Sequence, residues 1–286
     1  MYAAFRGELF KFVRRPGIWV LVILLLVLAM VIGYAVTYLV DTFGSSSGAQ
    51  GLPPGTKMAD FKVALYPENF VKGTLNTWGA LGGVFALIMG VLVQGSEFGW
   101  GTTKTLYTQR YGRLTMLFGK MIALEVLVLA MVAGLFAVDA ASSWVVALID
   151  GKPIVFPSAD VILLAIAAGF LIFSFWAIFG FGLATIFRQS AMAIGLGLAY
   201  ALVVELLIFS LLRGFGGKVV QQIEQWFPIA NTGYLASSFG EIKIKGIPTG
   251  PAPFADATHA VLMLLLNVAL FAAIAAWLSR TRDVTA

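Results

Sequence analysis

Three acids stand inside otherwise apolar runs of this 286-residue chain: Glu125, Asp139 and Glu205. A carboxylate in hydrocarbon is costly, so such residues face a protein interior or water, and moving protons or ions is the chemistry they suit. Glu205, within ALVVELLIF, is the first candidate for lining a translocation path or an outer gate, and Glu125 is the second. The alternative for Glu205 is a protonated carboxyl bonded to a neighbouring helix; for Glu125, as for Glu97, it is pairing with arginine or lysine. Other chemistries find little to work with. The chain has one histidine, His259, and no cysteine, which excludes multi-histidine and thiolate metal sites. GSSSG at 44–48 has the form G-x-S-x-G, but that pattern needs a strand-turn-helix setting, and His259 lies in a different loop. A P-loop is missing too. Gly119-Lys120 is followed by Met121 and Gly217-Lys218 by Val219, with Leu114 and Leu212 where the first glycine belongs. The chain is expected to be no enzyme and to hold no cofactor of its own.

The elements that position these residues are membrane helices. Hydrophobic residues make up 60% of the chain and charged ones 12%, with mean hydropathy +0.93; a soluble domain is roughly 45–50% apolar. A spanning helix needs about 20 largely apolar residues, because inside lipid every backbone amide must be bonded within its own segment. Six stretches qualify, at 17–40, 75–94, 121–143, 161–186, 191–212 and 258–279. The first exceeds the apolar core of a signal peptide, about 7–15 residues, and should remain as an anchor. Small residues recur every four positions at Gly79 and Gly83, and at Ala191, Gly195 and Ala199, as flat stripes for packing within the chain. The aromatic run Phe170, Phe173, Phe175, Trp176, Phe179 and Phe181 spreads around the fourth span, which suggests lipid contact.

Residues 1–16 read as a short interfacial helix. Phe5, Leu9, Phe12 and Val13 fall on one side, while Arg6, Glu8, Lys11 and Arg14 fill the other, with Arg15 before the break at Pro16 and Gly17. Two segments, 41–74 and 214–257, are too long for simple connectors; the second offers an amphipathic helix around Val220, Ile223 and Trp226, ended by Pro228. Lysine and arginine concentrate on the cytoplasmic side of membrane proteins. Placing both termini inside gathers Arg6, Lys11, Arg14, Arg15, Lys104, Arg110, Arg113, Lys120, Arg188, Arg280 and Arg282 there, with Arg213 as a counterexample.

The polar stretch 97–120, EFGWGTTKTLYTQRYGRLTMLFGK, is longer than a link between two membrane helices requires. A short helix after Gly101, capped by Thr102 or Thr103, would present Leu106 and Tyr107 as apolar anchors with Arg110 and Arg113 at the rim. The series Glu97, Gly101-Thr102, Lys104, Leu106, Arg113 and Gly119-Lys120 resembles permeases of the ABC type-2 exporter family, as do the basic stretch ELFKFVRRPGIWV and the large segment before the last span. The resemblance implies an all-α integral membrane fold of one permease domain over 1–286: six transmembrane helices, an N-terminal interfacial elbow and a cytoplasmic coupling helix. It further implies a plasma-membrane exporter subunit of a bacterium. A second permease subunit would face it, and two separate cytoplasmic subunits would bind ATP and Mg²⁺. The rival from another class is a proton- or cation-coupled secondary transporter using Glu125 and Glu205; the absence of internal repeats and of paired broken helices counts against it.

Overall fold

The computed structural model describes residues 2–43, 58–99, 112–242 and 255–282, which are almost wholly helical, with no strand among them. Helix α1 is Tyr2–Val13 and α2 is Pro16–Phe43, the latter π-helical over Ala29–Val36. Two 3-10 turns, Met58–Leu65 and Pro67–Asn69, lead into α3, Phe70–Gly99. Then come α4, Arg113–Ile149, and α5, Ala159–Phe187. Helix α6 runs without a break from Ser190–Ala199 through a π-helical stretch, Tyr200–Ile208, to Phe209–Glu224. The last two are α7, Pro228–Ser237, and α8, Ala257–Thr281. Among the described residues five helices are long and apolar enough to cross a membrane, namely α2, α3 over Leu81–Phe98, α4, α5 and α8. Helix α6 contains a shorter apolar helix, Ser190–Val203.

The helices exceed the hydropathy-based expectations at their ends. Helix α4 has 37 residues against the 121–143 expected, and at 1.5 Å per residue it is about 55 Å long, well beyond about 30 Å of hydrocarbon. Residues 113–120 of the polar stretch therefore belong to the same helix as the third span. The helix expected around Val220 is likewise no separate element but the end of α6, and Pro228 opens α7 at its first turn, where a missing N–H costs nothing.

Helix α5 is the hub. Phe173, Phe175, Trp176, Phe179 and Phe181 are all buried, so they line protein rather than lipid. A helix that is apolar all round belongs inside; the even spread of aromatics that suggested lipid contact marks the stretch 172–182 of α5, which has neighbours on every side. Phe179 stacks on Phe175 with centroids 5.8 Å apart and meets Tyr200 of α6 at 5.3 Å and Phe271 of α8 at 4.8 Å. Helices α3 and α5 meet backbone to backbone. A Cβ on Gly90 would run into the Ala177 carbonyl, and one on Gly180 into the Leu87 carbonyl, so only glycine permits this crossing. Gly83 lies under the Trp176 ring, and a Cβ on Gly79 would sit 3.3 Å from Thr232 of α7.

The small-residue stripe of α6 has a different phase from the one expected. Ala191, Gly195 and Ala199 are exposed and Gly195 has open space around it, whereas Ala193, Gly197 and Ala201 are buried. Both sets repeat every four residues, so spacing alone could not choose between them. Helix α5 turns into α6 at Arg188, whose left-handed backbone (φ 53°) ends α5 while its N–H donates to the Ala184 carbonyl. His259 lies in the first turn of α8 rather than in a loop; its N–H donates to the Asp256 carboxylate (2.9 Å) and its Nε2 donates to the Gln225 carbonyl (3.0 Å).

Candidate functional site

Helix α1 and the end of α8 lie at one end of the bundle, and there charged residues are tied together. The Arg282 guanidinium donates to the Ile186 carbonyl at the end of α5 (2.7 Å), and Arg113, the first residue of α4, reaches the Arg282 carbonyl (3.4 Å). Cations beside the free carbonyls of helix C-termini are favourably placed. Beside this collar, α1 lies across the first turns of α4. It comes that close because Gly119 has no side chain: a Cβ there would stand 3.0 Å from the Ala4 Cβ and 3.1 Å from the Phe5 nitrogen.

That crossing brings four charges into one node, three of them buried and Lys11 half-buried. Glu97, two residues before the end of α3, is 2% exposed; Lys120 in α4 is 6% exposed and Glu8 in α1 is 4%. Lys11 lies 2.5 Å from Glu8 and 2.5 Å from one Glu97 oxygen, and Lys120 pairs with the other Glu97 oxygen. Arg15, the residue that caps α2, donates to Ser96 of α3 (2.6 Å). The buried face of α1 is therefore Ala4, Glu8 and Phe12 rather than a purely apolar stripe. Phe5 and Leu9 are half-buried against the core, while Val13 and Phe10 are exposed. Arg14 is exposed and covers the Phe10 ring at 4.2 Å. Glu8 and Lys11, expected on the solvent side, instead turn toward α3 and α4: Lys11 compensates the buried Glu97, and Glu8 in turn pairs with Lys11.

The node is balanced, two acids against two lysines, and its members come from three helices. Such a buried pair adds little net stability over apolar packing, but removing one partner strands a charge and costs about 3–5 kcal/mol. Its effect is positional. It fixes the end of α3 and the start of α4, the two helices that flank 100–111, and binds α1 to both. Of the sequence candidates for a docking surface, Glu97 and Arg113 are placed by the structure; Gly101, Thr102, Lys104, Leu106, Tyr107 and Arg110 lie outside the described residues. Glu205 falls in the π-helical part of α6, its side chain also outside the described set. Glu125 bonds to Ser174 of α5 (2.5 Å) rather than to a cation.

A family model described as ABC-2 family transporter protein matches residues 2–284. The chain belongs to the ABC-2 transporter family. No curated protein matches it. Membership makes this ABC-2 protein a membrane transport subunit that is not itself catalytic, of a family that associates with ATP-binding subunits, and its apolar helices make it multi-pass.

The opposite end of this ABC-2 protein carries a second polar cluster, one that no motif or spacing marks. Asp150, just past α4, accepts from Tyr38 of α2 (2.8 Å) and Tyr66 (3.0 Å), with Lys62 at 3.6 Å. Lys62 also stands 4.3 Å over the Tyr38 ring. An acid at a helix C-terminus opposes the helix dipole, and these donors offset it. Burial raises the Asp150 carboxyl, but the two tyrosine hydroxyls and Lys62 outweigh burial and hold it below its ordinary value. Tyr66 is pushed up to about 12, by burial first and then by its bond to Asp150. The clasp pins the far end of α2 to α4, as Arg15 pins its near end to α3.

Proposed function

We propose that this chain is the permease subunit of an ATP-driven exporter. Two permease subunits, identical or homologous, face each other, and each docks through residues 97–120 on a separate cytoplasmic subunit that binds ATP and Mg²⁺. The cargo is amphipathic and leaves the cytoplasm or the inner leaflet across the plasma membrane of a bacterium. Both termini are cytoplasmic. That α1 and the end of α8 share one end of the bundle supports an even number of crossings, with α6 as the fifth of six.

The observation that carries this reading is the node of Glu8, Lys11, Glu97 and Lys120. Work done by ATP-driven closure reaches the membrane only through an element rigidly joined to the helices it must move. The node joins both flanks of the docking stretch to α1 and so delivers one push to three helices. Leu106 and Tyr107 are the anchors of the docking helix, Gly101 and Thr102 its start, and Lys104, Arg110 and Arg113 its rim. Glu205 and Glu125 border the path. The proton-coupled reading is the weaker, since the family model covers nearly the whole chain and that family works with ATP-binding subunits.

Co-expression with an ATP-binding subunit, sought as a P-loop protein in an adjacent reading frame, tests this. Leu106→Asp with Tyr107→Asp should abolish co-purification and coupled ATP hydrolysis while the permease still accumulates in the membrane. Undiminished co-purification would sink the assignment.

A further inference from the structure

Asp139 of α4 is 1% exposed and Thr74 of α3 is 2% exposed, and the two side chains meet between the helices. The Thr74 Oγ lies 2.6 Å from Asp139 Oδ2 and 2.8 Å from the Phe70 carbonyl oxygen one turn back. Both distances are hydrogen-bond distances between oxygens, and a threonine hydroxyl has a single proton to give. The Phe70 carbonyl can only accept, so the threonine proton points there. The remaining contact then needs a proton from the other side. We infer that Asp139 is a proton-binding site: its carboxyl is held as the neutral acid and donates to Thr74, which passes its own proton on to Phe70.

Three further observations agree. Asp139 takes part in no ion pair among the described residues, and Oδ1 has no hydrogen-bond partner there, a situation far less costly for a neutral acid than for an anion. Among the described residues the titratable group facing it is Tyr34 of α2, 7% exposed and itself neutral in its ordinary form, and none of them supplies a cation to a carboxylate there. Glu125, fourteen residues earlier on α4, repeats the pattern of one oxygen bonded to a hydroxyl and the other without a partner, but Ser174 leaves its proton count open. The bound proton ties α3 to α4 near the Asp150 end of the bundle. Without it Oδ2 of Asp139 would face a hydroxyl already committed to Phe70, and Oδ1 would face no donor among the described residues. This inference does not depend on the ATP-binding partner.

Infrared difference spectra of the full chain in lipid nanodiscs at neutral pH, wild type minus Asp139→Asn, test it. The C=O stretch of a protonated carboxyl should be lost with Asp139→Asn and kept with Asp150→Asn. Thr74→Val should shift that band upward, because the carboxyl loses its acceptor, and Thr74→Ser should restore it. Asp139→Asn, whose amide donates to Thr74 as the acid does, should melt within about 2 °C of wild type, and Asp139→Ala several degrees lower. Loss of a carboxylate band in place of the carboxyl band would overturn the proposal, as would melting of Asp139→Asn as low as Asp139→Ala. If Asp139→Asn does not accumulate, the Thr74→Val spectrum decides, and an unshifted carboxyl region contradicts the site.

Discussion

Glu97 and Lys120 form a buried ion pair across the gap between the last residues of α3 and the first turns of α4, with residues 100–111 between them in sequence. The pair sets where the two ends of that stretch stand, and Lys11 extends it to α1.

Breaking the pair on one side should be much worse than removing it whole. Glu97→Leu should lower unfolding free energy by about 3–5 kcal/mol, because Lys120 is left buried without its carboxylate, and Lys120→Met by less, because Lys11 still pairs with Glu97. The double variant should recover most of that loss. A double-mutant cycle measured by denaturant unfolding in micelles checks it; additive losses would mean that the two residues act independently.

Gly119→Leu should favour the isolated helix yet separate α1 from α4, since Ala4 and Phe5 occupy the space of the new side chain. Spin labels on α1 and α4 should show a longer and broader distance, and protease should reach α1 faster.

Trp176→Ala, in the centre of the hub helix, should cost about 3–5 kcal/mol through lost burial and the cavity it leaves. Leu163→Ala on the same helix, at a residue 66% exposed, should change stability by no more than about 0.5 kcal/mol. Equal effects in a thermal or denaturant assay would contradict α5 as the buried hub.

The hydropathy of the chain makes the membrane helices legible, since about 20 apolar residues in a row admit few other structures. What it cannot give is phase. The stripes Ala191/Gly195/Ala199 and Ala193/Gly197/Ala201 obey the same period, and which one faces inward depends on where α5 stands. The aromatics of α5 looked lipid-facing because a helix buried on all sides and one bathed in lipid on all sides have the same composition. The acidic and basic ends of 97–120 were visible by type, but Lys11 meets Glu97 from 86 positions away, and only the fold brings them together. Glu8 and Lys11, spaced three apart on one helix, are the local hint of the node that the sequence carries.

The Asp150 clasp gives a pH dependence with a definite sign. Its folded-state carboxyl titrates below the ordinary value, about 3.9, so the stability it adds is present above that value and is lost as pH falls through the lower folded one. Asp150→Asn should cost about 1–2 kcal/mol at pH 7, with the gap to wild type closing only in stronger acid and not between pH 5 and 8. Tyr66 works in the opposite direction: raised to about 12, it stabilises below its ordinary value near 10 and loses that contribution as pH climbs toward 12. Melting curves of both proteins from pH 3 to 8 check the acid limb.

The native chain has no cysteine, so single-site crosslinking tests the docking claim directly. Leu106→Cys, labelled with benzophenone-maleimide in the permease co-expressed with its ATP-binding partner, should photo-crosslink to that partner. Ile154→Cys, exposed beyond the opposite end of α4, should not. A crosslink from position 154, or none from 106 in a complex that hydrolyses ATP normally, would contradict the assignment of 97–120 as the surface the ATP-binding subunit grips.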